Sequence, residues 1–172
     1  MALDTSQLKD VAEEHGTIEM DGLDSVRDAV GAVLTLTHYS VDVLTRNLDR
    51  RVFDNAHVVT ELKRVSLGSR RARVRVLIHD ATSLVRREHR LWLLMRRLPS
   101  YFQVRVPSAD YRDELSSFLV ADSVASVYQP HGELYEGQTE FYNPMRAREL
   151  QRKFSEIWER AQPSPELRTM KM

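Results

Sequence analysis

The run Ala72-Arg73-Val74-Arg75-Val76-Leu77-Ile78 constrains this chain more than any other segment. Side chains of a strand alternate between its two faces, so Arg73 and Arg75 set against Val74 and Val76 predict one exposed face at the start. The run then turns fully apolar. A strand end with no polar position needs cover on both faces, which is the signature of a parallel sheet. Parallel neighbours cannot be joined by a tight turn, so helical crossovers must flank this strand.

The flanking sequence supplies them. Val26, Ala29, Val30, Val33 and Leu34 recur at helical spacing, predicting a helix over 24–37 capped by Asp24. A β-branched strand over 40–45 follows, and then the loop Arg46-Asn47-Leu48-Asp49. Asp54 is the expected N-cap of a helix over 55–67, and Gly68 its stop. A long helix is expected over 81–97, with Leu84, Glu88, Leu91, Met95 and Leu98 as its stripe and Pro99 as its end. His89 is expected on its outer face. A third strand over 101–106 stops at Pro107.

A hairpin is predicted over 117–122 and 124–129, and then a last helix with Asn143 as N-cap and Pro144 at its first position. The fold class is α/β: a three-layer βαβαβ core of parallel strands, extended by a C-terminal β-hairpin and packed by a last amphipathic helix. Residues 1–22 read as a flexible acidic extension, 23–162 as a single domain and 163–172 as a loosely ordered tail.

The chain has 172 residues and no cysteine, so disulfides and thiolate chemistry are excluded. No apolar run approaches the roughly 20 residues of a membrane span, and the N-terminus lacks signal-peptide character. A cytoplasmic protein without cofactor or membrane partner is the expectation. The net charge of zero conceals segregation. Residues 1–45 carry 2 basic and 9 acidic side chains, 46–105 carry 15 and 5, and 106–172 carry 8 and 11. Blocks of this size can steer an anionic partner, or can fold back on one another.

The order of elements around Leu115-Ser116-Ser117-Phe118-Leu119-Val120-Ala121-Asp122 resembles the C-terminal part of a phospholipase D-type half-domain. In that superfamily the corresponding strand carries His-x-Lys-x4-Asp. Counting back from Asp122, the His place holds Leu115 and the Lys place holds Ser117. The resemblance implies the fold without its nucleophile and clamp, hence no enzyme. It also implies a homodimer, because such enzymes pair two halves. Trp92, Leu93 and Leu94 widen the stripe of the long helix and are candidates for the dimer centre.

The segments Leu44-Thr45-Arg46-Asn47-Leu48-Asp49, His89-Arg90-Leu91-Trp92, Arg97-Leu98-Pro99-Ser100 and Phe154-Ser155-Glu156-Ile157-Trp158-Glu159 look like an uncharacterised bacterial domain family. That family is often found behind N-acetyltransferase domains. Nothing in the chain resembles an acetyl-CoA loop, and the association carries no activity over.

Three candidate chemistries follow. An anion pocket at the carboxyl edge of the parallel strands would use Arg46, Asn47 and Asp49 after the first strand, His79 and Asp80 after the second, and His89 from the long helix. The plain reading is that Arg46 pairs with Asp49 or Asp80. A nucleic-acid surface would use Arg70, Arg71, Arg73, Arg75, Arg86, Arg87, Arg90 and Arg97, within the arginine-rich stretch 64–97. Arginines on helices are also commonly a solvated face with buried stems. A hydrolase with a site of its own would draw on Arg46, His79 and Asp80. A metal site is not expected, since no two histidines stand at i, i+3 or i+4 spacing.

Overall fold

All the apolar strands read from the sequence lie in one sheet. The computed structural model describes Asp10, Glu13, residues 16–86 and residues 88–168. Most of the expected N-terminal extension, Arg87 and the last four residues lie outside the described residues. In chain order the first half forms β1 (Thr17–Asp21), α1 (Leu23–Thr35), β2 (Ser40–Thr45), α2 (Arg50–Phe53), α3 (Ala56–Gly68) and β3 (Arg73–Ile78). The second half adds α4 (Thr82–Arg86), α5 (Arg90–Arg97), β4 (Phe102–Arg105), β5 (Ser117–Ala121), β6 (Ala125–Gln129), β7 (Glu136–Glu140), α6 (Pro144–Arg160) and α7 (Pro165–Arg168).

The strand order is β1-β7-β6-β5-β2-β3-β4. β2, β3 and β4 run parallel, and β5 continues from β2 antiparallel. Asp122 and Ser123 close the β5–β6 hairpin with φ of 52° and 58°, the paired positive angles that suit a strand-twisting turn. Alternation divides the core. Val41, Val43, Val74, Val76 and Ile78 face α1, α3 and α5, while Leu44, Leu77, Phe118 and Val120 face α6. The buried stripe of α6 is Ala147, Leu150, Phe154 and Ile157, and Asn143 is its cap as expected, accepting from the Arg146 amide.

Several local expectations are corrected. The long helix is two helices, broken at Glu88, whose φ is 48° and whose side chain is exposed. His89 is not on an outer face: it is 1% exposed and caps α5. Its Nδ1 accepts from the Leu91 amide at 3.2 Å, and Nε2 meets the Leu48 carbonyl at 3.1 Å. Burial outweighs the nearby Asp54 charge and lowers its pKa, so the ring is a neutral structural peg. Asn55, not Asp54, caps α3. Asp54 instead binds Arg50 at 2.7 Å and the Arg90 amide at 3.1 Å. Gly22, with φ of 97°, begins α1 where Asp24 was expected to.

Trp92 and Leu94 are buried inside the subunit, and only Leu93 of that trio is exposed. Residues 17–21, expected within the extension, form an edge strand against β7. The segment after Pro163 buries Leu167, so it packs as far as it is described.

Candidate functional site

The loop after β2 is tightly built. The Thr45 hydroxyl accepts from the Leu48 amide at 3.1 Å and holds the turn, in which buried Leu48 takes a φ of 51°. Asp49 follows as N-cap of α2, accepting from the Arg51 amide at 3.0 Å and from its guanidinium at 3.2 Å. The Tyr135 hydroxyl donates to the same carboxylate. Burial alone would raise the Asp49 carboxyl, but the hydrogen bonds from Tyr135 and Arg51 prevail and hold it below the usual range. The Arg51 guanidinium also lies over the Tyr135 ring at 5.2 Å.

Thr45, Arg46, Asn47, Arg51, Ser117 and Tyr135 line a cavity of about 270 Å³ at the carboxyl edge of the parallel strands. Arg46 pairs with neither Asp49 nor Asp80, contrary to the plain reading. The one hydrogen bond of its side chain among the described residues is a long one of 3.4 Å to the Arg112 carbonyl. The cavity thus contains one cation committed to a carboxylate and one that is not.

The loops after β2 and β3, expected to share a pocket, do not. His79 and Asp80 line a second cavity with Pro107, Ser108 and the chain beyond α6. The His79 amide donates to the Thr45 carbonyl at 3.1 Å and the Asp80 amide to the Arg46 carbonyl at 2.7 Å. This fastens the two loops edge to edge, while their side chains line different cavities. Burial, then the Arg46 charge, lowers the pKa of His79. Its Nε2 is buried without a hydrogen-bond partner among the described residues. Asp80 caps the start of α4 through the Thr82 amide at 3.0 Å. His89 belongs to neither cavity.

The arginine stretch is divided by the sheet. Alternation puts Arg73 and Arg75 on the α6 side with Leu77, whereas Arg86, Arg90 and Arg97 belong to α4 and α5 on the other side. Arg70 and Arg71 occupy the exposed turn before β3. Arg75 is not solvated: it grips the buried carboxylate of Asp42 at 2.8 and 2.9 Å. Tyr135 and Arg51 were missed by sequence reasoning. Tyr135 lies 86 residues from its partner Asp49, in a segment with no periodic signal.

β5, preceded by Leu115 and followed by Asp122, has its Ser117 end at this edge. Ser117 lines the Arg46 cavity, and its hydroxyl lies against Gly132, where an added Cβ would collide with it. Leu115 is 48% exposed, and its carbonyl accepts from the Gly132 amide at 2.8 Å. Asp122 stands at the far end of the strand, about 17 Å from Ser117 at roughly 3.3 Å per residue. It accepts from the His38, Tyr39 and Ser40 amides at 2.7, 2.8 and 2.9 Å, so it fixes the entry to β2. Among the described residues no helix is long and apolar enough to cross a membrane.

Solved structures share this architecture. Nuc from Salmonella typhimurium, a phospholipase D family member, matches with a TM-score of 0.57 at 12% identity over 87% of this chain and 97% of its own. NucT from Helicobacter pylori matches at 0.60 and 10% identity, over 86% and 98%. TrmBL2, an archaeal chromatin protein described with a novel mode of DNA binding, matches at 0.61 and 11% identity over 92% of this chain. The chain spans 62% of the TrmBL2 chain. At such identities the likeness establishes the fold: an α/β domain of the phospholipase D type. No curated protein matches by sequence. A family profile, however, covers residues 22–170, and the chain therefore belongs to the family described as Domain of unknown function (DUF7931).

Proposed function

We propose that this chain is a non-catalytic phospholipase D-like binding and assembly module that holds a small anionic group in the Arg46 cavity. Arg46 carries the reading: it is the cation at the carboxyl edge without a carboxylate partner among the described residues, beside the Asn47 amide and the Ser117 hydroxyl. A phosphodiester mechanism of the family's kind needs an imidazole nucleophile and a cation on the phosphate oxygens. Leu115 and Ser117 supply neither. A hydrolytic site of Arg46, His79 and Asp80 has less support, because those side chains line two cavities. A nucleic-acid surface over 64–97 as a whole has less support too, because the sheet separates its members.

Isothermal titration with inorganic phosphate is expected to show one site, weakened about tenfold or more in Arg46→Gln, the scale of one charge-assisted hydrogen bond. Identical titrations of the two proteins would overturn the cavity assignment. Turnover of bis(p-nitrophenyl) phosphate above a buffer blank would overturn the non-catalytic half of the proposal separately.

Assembly in this reading is a symmetric homodimer, the usual closure for such a half-domain. With Trp92 and Leu94 committed to the subunit core, exposed Leu93 is what remains of the predicted centre. Sedimentation equilibrium at tens of micromolar should give twice the 20.0 kDa chain mass. A single species at the chain mass refutes the dimer.

A further inference from the structure

We propose that a basic groove between the start of β3 and the first half of α6 binds the phosphodiester backbone of a nucleic acid. The groove lies at the end of the sheet opposite the Arg46 cavity and does not depend on that site. Its walls follow from two periodicities. Strand alternation presents Arg73 and Arg75 to the α6 side, and the α6 stripe of Ala147, Leu150 and Phe154 leaves Arg148 and Arg152 one turn apart on a neighbouring face. The four guanidiniums line one depression with Ser123 and Gln151, and no carboxylate joins the lining.

Charge decides the class of occupant. Behind the groove, buried Asp42 neutralises Arg75, with Arg73 only at its fringe at 4.0 Å. Arg148 and Arg152 make no ion pair among the described residues. Three cations are therefore left for a ligand. The groove measures about 1060 Å³ against 270 Å³ for the Arg46 cavity, so it suits an extended polyanion better than one phosphate group. No aromatic ring lines it. Bases would find nothing to stack on, and binding must be to the backbone and indifferent to sequence.

Fluorescence anisotropy with a labelled mixed-sequence DNA duplex tests this. At low salt the full chain should bind, with log K falling against log salt at a slope of roughly −2.7, about −0.9 for each of three contacts. Arg73→Gln/Arg148→Gln/Arg152→Gln should lower affinity at least about tenfold and flatten the slope. Arg86→Gln/Arg90→Gln/Arg97→Gln, on the other side of the sheet, should bind as the parent does. Arg148→Gln/Arg152→Gln provides the same test without disturbing Asp42, should the triple variant lose stability. No binding at low salt, or equal losses in the two triple variants, would overturn the groove. A polyglutamate peptide that displaces the duplex at equal charge would overturn the nucleic-acid assignment in favour of an acidic protein.

Discussion

Trp158→Ala should destabilise the chain by roughly 3–5 kcal/mol, the cost of truncating a large buried aromatic. Trp158 is 5% exposed and stacks on fully buried Phe154, with ring centroids 5.6 Å apart and 20° between planes. Two guanidiniums close over it: Arg105 at 4.3 Å and Arg75 at 5.4 Å. The Arg105 Nη1 also donates to the Trp158 carbonyl at 3.0 Å, so the ring anchors β4 to the last turns of α6. In a chain of this size each kcal/mol moves the melting temperature by about 2–4 °C, which makes the expected fall about 10 °C. Trp158→Phe should recover much of it by keeping the stack. A shift of a degree or so for the alanine variant would mean that α6 is not anchored through this ring.

That helix was legible in the sequence because each of its determinants is local: Asn143, Pro144 and a stripe of period 3.6. The parallel strands were legible for the same reason, each having its own apolar run. β1 and β7 were not. Glu136–Glu140 buries Thr139 alone, and its place between β6 and the edge strand β1 comes from pairing with both. Gly137 stands where a Cβ would run into the Tyr128 carbonyl.

The break at Glu88 was hidden in a different way. Leu84, Leu91 and Met95 keep helical spacing across it, and the interruption depends on His89 meeting Leu48, a contact across 41 positions. The candidate site was half legible. The loops Arg46–Asp49 and His79–Asp80 are at the expected edge, yet the bonds that fasten them together are between backbone atoms, which carry no sequence signal.

Asp42→Ala should cost a similar 3–5 kcal/mol, for an electrostatic reason. The Asp42 side chain is fully buried in β2 and held by Arg75 at 2.8 and 2.9 Å and by the Gln151 amide at 3.2 Å. Removing it leaves Arg75, 13% exposed, without its counter-charge against Phe154 and Trp158. A thermal or urea double-mutant cycle separates this from simple loss of volume. Asp42→Ala/Arg75→Leu should lose less than the sum of the single variants, because the second change removes the stranded charge. Strict additivity would show that the pair contributes only packing. The same substitution moves the neighbouring groove the other way. With Asp42 gone, Arg75 becomes a fourth uncompensated cation, so at temperatures where the variant is folded its duplex affinity should rise and its salt slope should steepen by about 0.9. Lower stability with tighter binding is the expected pair of results. A parallel fall in both would place the groove's affinity in the shape that Asp42 maintains and not in its charge.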